Sequence, residues 1–215
     1  MIASRHGDFP VKKGDKLAGT RIIPLVIEKE KMHKAAAICA DGPILELKEF
    51  HKKKVGIITT GNEVYHKRIE DTFTPVIKEK LAEYDTEVIY HEIFDDNHEK
   101  ITRGCLTAIE KGADLVICTG GMSVDPDDKT PLAIKNTGAE IVSYGAPVLP
   151  GAMFLLSYYK NDIPILGLPG CVMYAKRTIF DLVLPRIMAN DKITAEELAS
   201  LGEGGLCLSC PVCTF

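Results

Sequence analysis

The sequence predicts an α/β fold with a doubly wound, mostly parallel but mixed sheet, and three observations carry that prediction. From Val55 onward, short apolar runs rich in valine and isoleucine alternate with longer segments whose apolar residues recur at helical spacing. The run Leu115-Val-Ile-Cys118 has the length and branching of a strand buried on both faces, as the centre of a parallel sheet requires. The runs 154–159 and 163–168 are joined by a turn at Asn161-Asp162, far shorter than the dozen or so residues of a parallel crossover, so this pair is antiparallel.

At 215 residues and 46% hydrophobic composition the chain can bury one full domain plus appendages. Residues 1–50 have a different texture: a turn at 11–15 between short extended pieces, a strand-like run at 22–27 and a helix at 28–39. They hold too few apolar residues for a core of their own, so they pack on the main domain or belong to a small β-rich module. The α/β domain spans 51–190. Its expected order is a strand at 55–59, a helix at 71–84, a strand at 87–93, a helix at 98–111 and the central strand at 115–118. A short helix follows to about Asn136, with Thr130 as N-cap and Pro131 at its first position. Next come strands at 140–143, 154–159 and 163–168 and a helix at 172–188 bent or shortened by Pro185. Residues 191–215 form a last short helix, opened by the capping box Thr194-Ala-Glu-Glu197, and a cysteine-rich tail.

The formal net charge of −4 and a longest Lys/Arg run of three, Lys52 to Lys54, argue against nucleic acid as the main ligand. No apolar stretch approaches the roughly 20 residues of a membrane span, and the first residues lack the apolar core of a secretion signal, so a cytoplasmic protein is expected. Cys39, Cys105, Cys118 and Cys171 sit in apolar or helical surroundings, where reduced cysteine acts as a small hydrophobe.

The chemistry is expected where ligands bind in such sheets, beyond the carboxyl ends of the strands. Four loops there are polar or glycine-rich: Thr60 to Glu63, Asp95 to Asn97, Gly120 to Asp128 and Gly167 to Gly170. Gly120 and Gly121 bring backbone N–H groups close to an anion, and Asp125, Asp127 and Asp128 suit a hard cation such as Mg²⁺. An anion held through a metal points to phosphate.

In their order along residues 54–189 these segments resemble the molybdopterin-binding domain of molybdenum cofactor biosynthesis proteins, of the molybdopterin molybdenumtransferase and adenylyltransferase type. The resemblance rests on Thr60, Gly61, Asn62 and Glu63; on Asp95-Asp96; on Thr119-Gly-Gly-Met-Ser-Val-Asp-Pro-Asp-Asp-Lys-Thr-Pro131; on Pro150-Gly151; and on Gly167, Leu168, Pro169 and Gly170. It implies a three-layer α/β/α fold that binds molybdopterin or its adenylate, with ATP and molybdate as further partners. It also implies a homo-oligomer, trimeric in the adenylyltransferase branch and dimeric in the molybdenumtransferase branch. By that resemblance Asp128 and Asp96 are the catalytic acids, Asp125 and Asp128 meet Mg²⁺, and Gly120, Gly121, Met122 and Ser123 wrap the phosphate-bearing ligand. Two departures stand out. Asn62 replaces an acidic residue, and Ala152 stands where a lysine follows Pro150-Gly151, with Lys176 or Arg177 as possible substitutes for its charge.

Cys207, Cys210 and Cys213 have the Cys-x-x-Cys-x-x-Cys spacing of ligands to one zinc ion or iron–sulfur cluster, a fourth ligand coming from elsewhere; a redox thiol set is the alternative. The expected function is therefore molybdate insertion or adenylyl transfer on pterin phosphate with Mg²⁺. The competing expectations are a non-catalytic cofactor carrier and a nucleotide-pyrophosphate hydrolase on the same fold.

Overall fold

The computed structural model describes residues 1–211 apart from 22, 41, 123–127 and 161. The chain divides into two units, Met1–Glu49 and Phe50–Phe215. In the first, β1 (Ile2–Ser4) pairs antiparallel with β2 (Ala18–Thr20), and α1 (Lys29–Ile38) follows. The turn at 11–15 is closed by Asp15, whose amide donates to Lys12 O and whose carboxylate accepts the Lys12 amide, both at 3.0 Å. Residues 23–27 do not form the expected strand: Pro24 has no N–H to offer a ladder, and the chain bends through 24–26. No described residue of this unit is buried.

The second unit runs β3 (Lys54–Thr60), α2 (Asn62–Tyr65), α3 (Phe73–Ala82), β4 (Glu87–Phe94), α4 (His98–Glu110), β5 (Leu115–Thr119), α5 (Thr130–Asn136), β6 (Glu140–Tyr144), β7 (Leu155–Tyr159), β8 (Ile163–Leu168), α6 (Ile179–Met188) and α7 (Ala195–Ser200). Its sheet has the order β4-β3-β5-β8-β7-β6. The pairs β3–β4, β3–β5 and β5–β8 are parallel, whereas β7 is antiparallel to both β8 and β6. Every residue of β5 is buried, because helices cover the sheet on both sides. On one face Ile57, Leu115, Ile117, Leu156 and Leu166 pack with Ile77 and Leu81 of α3 and Phe180, Val183 and Leu184 of α6. On the other, Ile58, Val116, Cys118 and Ile165 pack with Ile101, Cys105 and Ala108 of α4 and Ala133 and Ile134 of α5. The α4 contact is close because it is made across glycine: a Cβ on Gly104 would lie 2.5 Å from the Phe94 ring, and one on Gly56 2.6 Å from Ala108 Cβ.

The helix expected over 172–188 is two elements, a 3-10 turn at Gly170–Met173 and α6 from Ile179. The break has an electrostatic cause. Thr178 and Asp181 form a capping box, and the Asp181 carboxylate also takes Lys80 Nζ at 2.5 Å and Arg177 Nη1 at 3.2 Å, while Lys80 donates to Lys176 O. The capping box at Thr194 forms as expected, and Pro185 lies inside α6.

Candidate functional site

The three parallel pairings bring the carboxyl ends of β3, β4, β5 and β8 to one rim of the sheet, and β6, antiparallel to β7, ends there too. The predicted segments on these ends therefore share one edge of the molecule.

The base of the β5 loop is a clasp of hydroxyls. Thr60 Oγ1 donates to Thr119 O at 3.0 Å and meets Thr130 Oγ1 at 3.1 Å, and Thr130 Oγ1 donates to Gly120 O at 2.8 Å. All three threonines are buried. Thr130 was expected as an N-cap; it is instead the first residue of α5, and its hydroxyl closes the loop rather than capping the helix. Gly120 has φ +83°, and a Cβ there would fall 2.2 Å from Thr60 O, so only glycine fits. Met122 is buried over β8, its Cε lying 2.6 Å from where a Gly167 Cβ would be. This joins two of the predicted segments. Ser123, Asp125 and Asp127 lie outside the described residues. Asp128 and Lys129, just before α5, are half-buried.

A helical turn, α2, begins at Asn62, within the segment 60–63 that the sequence reading treats only as a polar exit. The exits of β3 and β4 are tied together: Gly61 N–H donates to Phe94 O at 3.2 Å and Asn62 N–H to Asp96 Oδ2 at 3.1 Å. Asn62, Asp95, Asp96, Asn97 and His98 line a cleft of about 270 Å³. Glu63 is exposed. Asp95 Oδ2 is met by Lys100 Nζ at 2.7 Å. Among the described residues, Asp95 Oδ1 and Thr119 Oγ1 are buried polar atoms with no hydrogen-bond partner, and both stand at strand ends of this rim.

Pro150 and Gly151 are pinned to α6: Pro150 O accepts the Ile179 amide at 3.2 Å, and a Gly151 Cβ would lie 2.6 Å from Ile179 Cγ2. Leu168 is buried in the core and offers the rim only its backbone; Pro169 is buried as well, whereas Gly170 is exposed. Lys176 is exposed, and Arg177 is ion-paired with Asp181 at 3.2 Å. Tyr144, absent from the sequence-based site, ends β6 on the same rim. Burial first, and the charge of Asp128 second, raise its hydroxyl above the ordinary tyrosine pKa. No spacing in the sequence marks it.

The tail is joined to the loop before Pro150. Leu149 N–H donates to Gly205 O at 2.7 Å and Cys207 N–H to Leu149 O at 2.8 Å. Cys207 is half-buried and Cys210 exposed, while Cys213 lies outside the described residues. Among the described residues no group of three or more His, Cys, Asp or Glu side chains is placed to hold a metal ion, and no helix is long and apolar enough to cross a membrane.

Fold and rim together define a doubly wound α/β domain whose strand-end edge is built from glycine turns, hydroxyls and carboxylates. A family model described as "Probable molybdopterin binding domain" matches residues 56–189, and the chain belongs to that family of molybdenum cofactor biosynthesis domains. Among curated proteins, the molybdopterin molybdenumtransferase of Haemophilus influenzae is 29% identical over 186 residues, 82% of this chain and 43% of the relative. A competence-damage inducible protein of Bacillus cereus is 33% identical over 105 residues, 49% of this chain and 24% of the relative. The chain thus spans less than half the length of these relatives. Among solved structures, the tungsten cofactor synthesizing protein MoaB of Pyrococcus furiosus superposes with TM-score 0.52 at 22% identity, and the molybdopterin biosynthesis enzyme MoaB of Thermus thermophilus with 0.52 at 25%. In both cases the match covers 63% of this chain and 91% of the other.

Proposed function

We propose that this rim binds molybdopterin or its adenylate by the phosphate-bearing end and serves a cytoplasmic step of molybdate insertion or adenylyl transfer, with ATP and molybdate as co-substrates. The observation that carries the proposal is the convergence of the loops after β3, β4, β5 and β8 on one edge where two buried polar atoms, Thr119 Oγ1 and Asp95 Oδ1, have no partner among the described residues. Backbone N–H groups at Gly120 and Gly121 would face phosphate oxygens, and Thr60 and Thr130 hold that turn in shape. A Mg²⁺ ion fits the donor chemistry in its usual manner, with one or two carboxylates and the remaining positions taken by water and ligand phosphate. Asp128 and Asp96 are the residues that would hold it, joined by Asp125; when bound, the ion neutralises phosphate charge. The same proposal includes a homo-oligomer, dimer or trimer, and a zinc or iron–sulfur centre on Cys207, Cys210 and Cys213.

Incubating the protein with molybdopterin, MgATP and molybdate while following adenylate formation or loss tests the reaction. Asp128→Ala is expected to abolish turnover and to lower kcat more than ligand affinity. Unchanged turnover in a folded Asp128→Ala protein removes this residue from the mechanism. A carrier without catalysis is favoured by one observation: Ala152 supplies no charge beside Gly151, and Arg177 is committed to Asp181. Tight pterin binding with no turnover of any added substrate by the unaltered protein decides for it.

A further inference from the structure

We propose that Asn62 is a positioning residue that holds the Asp96 carboxylate in place without the help of a cation. The inference rests on reading this rim as the ligand site. The two residues form a closed ring: Asn62 N–H donates to Asp96 Oδ2 at 3.1 Å, and Asp96 N–H donates to Asn62 Oδ1 at 3.4 Å. Each side chain thus accepts the other's backbone amide, and the ring ties the first residue of α2 to the exit of β4 at the edge of the 270 Å³ cleft.

The neighbouring carboxylates are stabilised differently. Asp95 is met by the Lys100 ammonium at 2.7 Å, whereas Asp96, with no ion pair among the described residues, accepts the backbone N–H of Asn62. A neutral acceptor at position 62 leaves the ring uncontested. An aspartate there would keep the acceptor oxygen but set a second negative charge against Asp96, and the two would share the ring only with a cation between them. The substitution that removes charge from this cleft therefore gives a preformed acid rather than a defective metal site.

Backbone hydrogen exchange of the Asn62 and Asp96 amides by NMR, in the full chain with EDTA or with Mg²⁺, tests this. In the unaltered protein both amides are protected in EDTA. Asn62→Ala is expected to speed exchange of the Asp96 amide roughly threefold to tenfold, as loss of one net hydrogen bond implies, and Asp96→Ala to do the same at Asn62. Asn62→Asp is expected to lose Asp96 protection in EDTA and regain it with Mg²⁺, a response that a merely structural role would not produce. Undiminished protection in Asn62→Ala, or Mg²⁺-independent protection in Asn62→Asp, overturns the proposal. Binding of molybdopterin to the unaltered protein is measured alongside: its absence counts against the rim as the pterin site and leaves the exchange result intact.

Discussion

Thr59 and Thr60 are adjacent on β3, yet they anchor two unlike networks on opposite faces of the sheet. On the α3 side, Thr59 Oγ1 meets Thr74 Oγ1 at 3.2 Å, His91 Nε2 at 3.2 Å and Asp71 Oδ2 at 3.4 Å, and Asp71 Oδ1 accepts the Phe73 and Thr74 amides at 3.0 Å. This cluster is ionisable. On the α5 side, Thr60 Oγ1 meets, among the described residues, a hydroxyl and a carbonyl of the β5 loop base. One strand thus ends in a charged hub that fixes a helix start and a neutral clasp that fixes the base of the β5 loop. The same side chain serves both because a hydroxyl donates and accepts with little regard for what it faces.

The largest expected effect breaks the clasp. Gly120→Ala puts a Cβ 2.2 Å from Thr60 O in a left-handed conformation, and it is expected to cost roughly 3 kcal/mol or more in chemical denaturation and to abolish pterin binding. Asp71→Ala strikes the hub: losing the carboxylate that accepts the Phe73 and Thr74 amides and the hydroxyl partners should cost about 2 kcal/mol, with pterin affinity largely kept if the two networks are independent. A matching loss of affinity would show that they are one. Thr130→Val keeps the shape and removes the bond to Gly120 O. A loss of about 1 kcal/mol is expected, with a clear fall in ligand affinity measured by calorimetry.

The smallest effect is a pH signature present on one side only. Burial, and more weakly Lys78, lower the His91 pKa below 6.5, against the opposing pull of Asp71. The folded chain therefore prefers neutral His91, while the unfolded chain takes up its proton near the ordinary value. This contribution to stability is full above about pH 6.5 and is lost as the pH falls through the folded pKa. Melting temperatures from pH 7.5 to 5 should fall more steeply in the unaltered protein than in His91→Gln. Equal slopes would take His91 out of the hub's response.

Much of this architecture is legible in local pattern. The all-buried β5, the amphipathic α4, the antiparallel β7–β8 pair and the Thr194 capping box each follow from spacing within a few residues. What escapes depends on partners far along the chain. Thr130 looks like a helix cap until Gly120 O arrives beneath it, and residues 174–178 look helical until Lys80, about a hundred positions earlier, claims Asp181 and Lys176 O. Tyr144 joins the rim only because β6 runs antiparallel to β7. The glycine and aspartate motifs of the rim, and Thr60 with them, are visible in the sequence; the bonds by which the Thr60 and Thr130 hydroxyls hold the loop base are not.

The bond from Thr130 to Gly120 O spans ten positions and fastens the start of α5 to the end of β5. Both ends of that bond belong to the buried frame, with Thr119 and Thr130 fully buried. Closure entropy rises by only about 0.6 kcal/mol for each doubling of a connection's length, so a pair of ends fastened in this way tolerates a change in the length between them at little cost to β3, β5 and α5.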